Sequence, residues 1–444
     1  MTHPHQSRSW RIHPINRPVE TSRLESAEFT AICQTVVRAG TLMAAAGTGA
    51  YRVKEEMNRV GNALGLDAVH AEVTLNTVIA TGIRQGEAHT LVGTIPAVSV
   101  NAGRIVEMEA LALGTQPGAS VADFNRQLDA IAHRPARYGP FMTALAALVA
   151  CAAFCFLNHG GWVECLGVAV GAGAGQWLRA TLARYRLNQL GVTLMAGATA
   201  CLLYLGVTGL LMSLGVPSAR HAAGYTSAVL FLIPGFPLIT AALDLARLDF
   251  TAGISRLTYA ILVVTVAAIS AWLVAELVHL VPLRAPELNL PRSTLLLLQL
   301  LASFCGVFGF AIMFNTPPRI ALAAACIGML ANTLRLSLVE VPLPLQVAAP
   351  IATLLVGLLA AWISGWMRCP RIVLSVPPVL IMIPGTTAYQ ALVYANQDMP
   401  LEAITNAYEA MFIVAGIAIG LSIARMLTDR AWAFEGRLPG AASR

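Results

Sequence analysis

The chain has 444 residues, of which 57% are hydrophobic and only 12% charged, and its mean hydropathy is +0.67. A soluble domain carries about 25% charged residues, so the bulk of this molecule is not an ordinary globular enzyme. The net charge of +6 comes without a basic stripe interleaved with aromatics, which excludes a nucleic-acid binder.

The polar residues lie at the start. Residues 1–25 lack an apolar core, so they read as a disordered cytosolic leader and not as a signal peptide. Residues 26–138 read as a small cytosolic α+β domain. Phe29, Ile32, Val36 and Val37 recur at helical spacing, which predicts a helix over 26–48. Gly47–Gly49 break it, and an amphipathic helix follows over 51–64, with Lys54, Glu55 and Glu56 as its solvated face. Two β-like runs, 73–81 and 89–100, precede helices at 103–113 and 120–133, the second capped by Ser120. His70, Glu72, Thr94 and Ser99 could be assembled into a hydrolase on paper. No G-x-S-x-G motif accompanies them, so no catalytic residue and no enzymatic activity are expected, with a membrane-tethered hydrolase kept as a rival reading.

From residue 139 onward the chain is dominated by apolar runs of about 20 residues, long enough to span a bilayer. Ten spans are predicted, five over 139–283 and five over 292–430, followed by a cytosolic tail over 431–444. The fold expected is an α-helical polytopic membrane protein with the α+β domain in front. Loops carrying Arg179, Arg184, Arg186, Arg247, Arg256, Arg319, Arg368 and Arg371, and the tail with Arg430, Arg437 and Arg444, would face the cytosol. Loops with Arg220, Arg284, Arg292 and Arg335 would face outward. This bias predicts both termini on the cytosolic side of a bacterial inner membrane. The eight cysteines form no CxxC pair, and most lie in apolar runs, so neither a disulfide framework, a metal site nor a cofactor is expected.

The two halves echo one another. Ile233-Pro234-Gly235-Phe236-Pro237 in the fourth span and Ile383-Pro384-Gly385-Thr386-Thr387 in the ninth stand 150 residues apart. Asn158 and Asn315 end the first span of each half, and Arg179 and Arg335 the second. Five spans per half is an odd number, so the second half would enter from the opposite side, as in the inverted repeats of secondary transporters. Pro removes a helix hydrogen bond and Gly lets the backbone turn, so both spans should break at these motifs. Broken backbone at membrane depth belongs inside protein or beside water, and a half-helix start attracts a carboxylate. Pro234, Gly235, Pro237, Thr240, Pro384, Gly385, Thr386, Thr387, Tyr389 and Asn332 are therefore the candidate substrate site. Asp244, on the face of Pro237, is the candidate proton carrier, with a solvated helix-end residue or a partner of Arg247 as the alternatives. Glu276, His279 and Glu164 read as interfacial groups, and Gln176, Gln299 and Gln390 as polar groups between helices. Gly171, Gly173 and Gly175 read as a close-packing stripe and not a phosphate loop.

Gly49-Ala50-Tyr51-Arg52-Val53, then Leu64-Gly65-Leu66 and a Thr-rich strand, resemble the opening domain of the threonine/serine exporter family. Ile233–Leu238 with Asp244 and Gly253-Ile254-Ser255-Arg256-Leu257 look like that family's fourth and fifth spans. Ile383-Pro384-Gly385 with Tyr389 looks like its smaller second module, which in some bacteria is a separate chain. The resemblance covers nearly everything after residue 26. It implies proton-driven export of a small hydrophilic metabolite, threonine or serine first, with small dicarboxylates such as succinate as the alternative. The expected partners are that metabolite, protons and the bilayer. A chain holding both halves can act alone or as a homo-oligomer.

Overall fold

The computed structural model describes residues 19–95, 99–185, 187–216, 221–279, 290–341, 343–397 and 399–434. The leader over 1–18, the end of the tail, and Arg186, Arg220, Arg284, Arg437 and Arg444 lie outside the described residues.

The N-terminal unit contains α1 (Val19–Ala45), α2 (Ala50–Ala63), α3 (Ala102–Gly114) and α4 (Val121–Ala132) around a sheet of β1 (Ala68–Val73), β2 (Thr77–Arg84) and β3 (Glu87–Thr94). Helix α1 starts earlier than the predicted residue 26, because nothing between Val19 and Ala39 is a Gly or Pro. The two predicted β runs become three strands, paired antiparallel in the order β1-β2-β3. Thr74 is the reason: its Oγ accepts the N–H groups of Asn76 and Thr77, and this turn cuts the 73–81 run. The second turn is Gln85-Gly86, both left-handed (φ 53° and 84°), the geometry that matches strand twist in a two-residue hairpin. One face of α1 packs on this sheet, and Ile32, Val36, Met57, Val60, Val73, Val78 and Leu128 share a core of their own.

The remaining helices fall into two sets. The first is α5 (Pro140–Leu157), α6 (Trp162–Leu182), α7 (Gln189–Ser213), α8 (His221–Ser227), α9 (Gly235–Ala246) and α10 (Phe250–Leu277). The second is α11 (Arg292–Met313), α12 (Pro318–Glu340), α13 (Leu345–Met367), α14 (Arg371–Leu380), α15 (Gly385–Asn396) and α16 (Pro400–Thr428), followed by the short α17 (Arg430–Ala433). Among the described residues, seven helices are long and apolar enough to cross a membrane, or up to nine if each bent pair is one span. Helix α6, one of the ten predicted spans, is not among the seven. Its glycines and Glu164, Gln176 and Arg179 dilute its apolar content, and it packs between α5 and α7. Gly171 and Gly175 press on the backbone of Ala200 and Ala196, the close approach expected of that stripe. Large apolar side chains such as Leu202, Leu210, Leu297, Leu301, Trp362 and Phe412 remain exposed on the long helices, as a lipid-facing surface requires.

Helix starts correspond between the sets. Trp162 and Pro318, and Gln189 and Leu345, are 156 residues apart; His221 and Arg371, Gly235 and Gly385, and Phe250 and Pro400 are 150 apart. The six-residue difference arises between the start of α7 and that of α8. At the end of the first helix in each set the left-handed residue is His159 (φ 67°) in one and Asn315 (φ 59°) in the other. The echo of Asn158 with Asn315 is thus displaced by one residue, and His159 is the true counterpart. Contacts between the sets come in exchanged pairs: α9 meets α16 as α10 meets α15, and α8 meets α15 as α9 meets α14. Helices α5 and α11 lie side by side and antiparallel, with Gly309 against Ala146 and the Tyr138 hydroxyl donating to the Thr316 carbonyl at 3.0 Å.

Both Pro-Gly motifs break their helices, by 74° in the first set and 53° in the second. The two breaks have one geometry. Pro234 and Pro384 sit at φ −79°, ψ 65° and φ −77°, ψ 61°. Gly235 and Gly385 donate to the carbonyls of Ile233 and Ile383 at 2.9 and 2.8 Å, and Leu238 and Ala388 resume the helix on the carbonyls of Pro234 and Pro384, both at 3.0 Å. The breaks also touch each other. A Cβ at Gly235 would overlap Leu380 Cδ1, whereas one at Gly385 would meet Ile233 Cδ1 at 3.4 Å. Gly235→Ala should therefore lower stability by about 1–3 kcal/mol through overpacking, while Gly385→Ala stays near neutral. Thermal unfolding of the detergent-solubilised variants checks this asymmetry.

Candidate functional site

The turn between α9 and α10 sets the site. Arg247 and Asp249 N–H donate to the Asp244 carbonyl at 3.1 and 3.0 Å, Leu248 takes a left-handed conformation, and the Asp249 carboxylate caps α10 at Ala252. This hairpin lays the start of α10 against the end of α9. Asp244 Oδ2 then lies 3.1 Å from Arg256 Nη1, with the two residues only 2% and 5% exposed. Both reach into the N-terminal unit. Asp244 accepts the Ala50 N–H at 3.2 Å, and Arg256 donates to the Thr48 carbonyl at 2.9 Å. A buried ion pair needs such extra hydrogen bonds to offset its desolvation. Gly49 passes close by: a Cβ there would stand 3.3 Å from Asp244 Oδ1.

Further contacts hold the unit to the helices. Lys54 bridges Glu72 on β1 and Asp249 at 2.6 and 2.8 Å. The Arg247 guanidinium lies 4.1 Å from the Tyr51 ring centre and 5.0 Å from that of Trp432, and Arg425 lies 5.3 Å from Trp432 on its other contact. The start of α3 docks on the α11–α12 turn, where Ala102 donates to the Phe314 carbonyl at 2.9 Å and Asn315 Nδ2 to Asn101 at 2.8 Å.

Between these contacts lies a cavity of about 410 Å³, walled in part by the N-terminal unit. Its wall includes Thr48, Gly49, Tyr51, Arg52 and Glu109 on one side, Thr240, Leu243 and Asp244 of α9 on another, and Arg368–Ile372, Arg425, Asp429 and Trp432 on the third. Its acids are engaged: Glu109 with Arg52 at 2.6 Å, Asp244 with Arg256, and Asp429 with Arg425 at 3.9 Å. Among the described residues, neither Arg368 nor Arg371 has a carboxylate within ion-pair distance. The wall therefore offers net positive charge to a ligand.

With this arrangement in view, comparison with known proteins separates the same two parts. Residues 34–278 match the family model described as "Putative threonine/serine exporter" and residues 299–427 the one described as "Threonine/Serine exporter, ThrE". The chain belongs to the threonine/serine exporter family. It is 26% identical over 259 residues to the Escherichia coli K12 protein named "Probable succinate transporter subunit YjjP", covering 56% of this chain and 98% of that one. The Klebsiella aerogenes protein of the same name is 24% identical over 256 residues, covering 56% and 96%. No solved structure matches.

In this exporter-family chain the predicted site residues separate into two groups. Thr240 and Asp244 line the cavity, and Pro237 with Thr240 and Arg256 lines a small adjoining one. Pro234, Gly235, Pro384, Gly385, Thr386 and Thr387 lie at the breaks, which meet through Leu230, Ile233 and Leu380 and not through a polar space. Tyr389 is buried there, its ring 6.0 Å from Tyr225. Asn332 lies elsewhere: it is fully buried, donates to Ser303 Oγ at 2.8 Å and accepts from Arg335 Nε at 2.9 Å. Asp244 does not pair with Arg247, because that guanidinium stacks on Tyr51 while the hairpin supplies Arg256. Glu164 is buried and not interfacial, since the start of α6 packs on Tyr204 of α7 through Gly167. Glu276 and His279 are exposed at the end of α10, and Gln176 and Gln299 are buried between helices. His70 faces Thr81 across the sheet, whereas Thr94 faces Thr77 four residues further along, so these two are not brought together.

Arg368 and Arg371 of the α13–α14 turn, which in sequence mark orientation, are cavity wall, as is Arg425 of α16, which carries no sequence signal of its own. Glu56 is not solvated but fully buried between Arg52 and Arg59. Burial outweighs both guanidiniums and pushes the Glu56 carboxyl up to about 7. A carboxyl raised in the folded state stabilises the fold most below its unfolded value near 4.5 and loses that contribution as pH climbs toward 7. Melting temperature should fall between pH 5 and pH 8, and Glu56→Gln should flatten this slope; an unchanged slope would place the ionisation elsewhere.

Proposed function

We propose that this chain is a secondary transporter that exports a small carboxylate-bearing metabolite across the inner membrane, driven by protons. The observation that carries the reading is the cavity placed against the buried Asp244–Arg256 pair, on the helix α9 that starts at the first break. The cavity is the cytosolic entrance, and the N-terminal unit rims it. Counting each bent pair and α6 as one crossing gives five crossings per set, so the sets enter from opposite sides; the antiparallel α5 and α11 support this. Rocking of one set against the other about the touching breaks then exposes the ligand to either side.

Coupling is assigned to Asp244. Its protonation cancels one charge of the buried pair and leaves Arg256 to the Thr48 carbonyl alone, which weakens the attachment of α2 at the rim. Proton binding and opening of the entrance are thereby linked through one carboxylate. The family description supports threonine or serine as cargo, and the names of the Escherichia coli and Klebsiella relatives support succinate.

The test is efflux of radiolabelled threonine, serine and succinate from preloaded vesicles, with and without a protonophore. Wild type should lose at least one substrate faster than empty membranes, and the protonophore should slow it. Asp244→Asn should keep substrate-for-substrate exchange yet lose proton-driven efflux by at least tenfold. If none of the three substrates moves above background, the transport reading of this site falls; if Asp244→Asn responds to the proton gradient like wild type, Asp244 is not the coupling group.

A further inference from the structure

The proposed cavity does not end at its wall. Leu243, Arg371 and Arg425 also line a smaller pocket of about 20 Å³, which continues between α9, α13, α14 and α16 with Ser375 and Gly357. These three residues are therefore the neck between the entrance and the interior. Among the described residues, Arg371 donates to neutral partners, the Thr428 hydroxyl at 2.8 Å and carbonyl at 3.3 Å. Arg425 Nε is buried and makes no hydrogen bond, with the Asp429 carboxylate no nearer than 3.9 Å. A guanidinium has five donors, and its fork matches a carboxylate bidentately, so both arginines retain donors for a ligand.

We infer that Arg371 and Arg425 form a carboxylate-selecting neck that takes a small dicarboxylate in preference to a zwitterionic amino acid. This rests on the transport reading above and adds to it the charge class of the cargo. Two partly buried cations on one neck repel each other, and an anion between them relieves that cost. The ammonium group of threonine or serine has the opposite need. Glu109 and Asp244, two acids of this cavity, are already engaged by Arg52 and Arg256, so an ammonium would enter a positive field with little counter-charge to meet it. A second carboxylate meets no such penalty. Leu243, which lines both spaces, supplies an apolar contact for the carbon chain between the two carboxylates. The contact of Arg425 with Trp432 also holds its guanidinium in place before the ligand arrives.

The test uses the full chain in proteoliposomes, with labelled succinate as the probe and threonine, serine and monomethyl succinate as competitors. Arg371→Gln and Arg425→Gln should each raise the KM for succinate at least tenfold with a smaller change in kcat. The Lys variants should lie between these and wild type, and Arg184→Gln, exposed beyond the end of α6, should remain within twofold. Succinate should also change the protein's tryptophan fluorescence, and Trp432→Phe should remove that change; this reads binding in the Lys variants even if a Gln variant fails to fold. Monomethyl succinate and threonine should compete at least tenfold more weakly than succinate. Wild-type transport of succinate with unchanged KM in both well-folded Gln variants would overturn the neck and leave the transport reading standing. Threonine competing as strongly as succinate would overturn the charge preference. If wild type moves labelled threonine or serine but not labelled succinate, the charge preference falls and transport stands; if it moves none of the three, the transport reading itself falls.

Discussion

Everything at the N-terminal face of this molecule depends on one constraint: a carboxylate and a guanidinium are buried together with almost none of their surface left to solvent. Asp244 and Arg256 cannot satisfy each other completely. Their remaining capacity is met by backbone groups of Thr48 and Ala50, which belong to a different part of the chain. The attachment of the N-terminal unit is thus a by-product of solvating a charge pair. Removing either partner would leave the other charge buried and uncompensated, a more severe change than losing a surface ion pair. The same constraint explains why Gly49 is followed directly by a helix start: only a close backbone can deliver an N–H to Asp244.

The parts of this architecture that were legible in the sequence are those governed by local chemistry. Pro-Gly breaks a helix wherever it occurs, so both bends could be placed to the residue. The glycine stripe of α6 likewise announced close packing. What was not legible required knowing which distant residues meet. Arg256 lies twelve positions beyond Asp244, out of reach on a continuous helix, and only the left-handed turn at Leu248 brings them together. Glu56 looked solvated because its neighbours on the helix are charged, yet Arg52, Arg59 and Glu109 enclose it. Arg368 and Arg371 were informative about orientation in sequence, while their second role as cavity wall depends on α9 and α16 folding across them. The β meander was missed in part because a polar threonine makes the turn where no glycine or proline marks it.

The pairing of the two breaks also shows what near-symmetry leaves free. Pro234 and Pro384 adopt almost the same backbone, and the flanking hydrogen bonds repeat one for one. The surroundings differ. Leu380 fills the space over Gly235, while Gly385 has ordinary room beneath Ile233 and Leu230. Backbone geometry at such a joint is dictated by the Pro-Gly pair, whereas its tightness is decided by one side chain from the other set.

The continuity of the chain from α10 to α11 has a consequence for assembly. The two sets touch through reciprocal surfaces that would fit together even as separate polypeptides, but separate polypeptides must find each other and can accumulate in unequal amounts. A single chain holds the stoichiometry at one to one and keeps each set at a high effective concentration for its mate. An orphan copy of the first set would leave Gly235 without Leu380, and an orphan second set would leave Asn315 without Asn101. In this fused form neither half is ever translated without the means to cover the other's exposed joint.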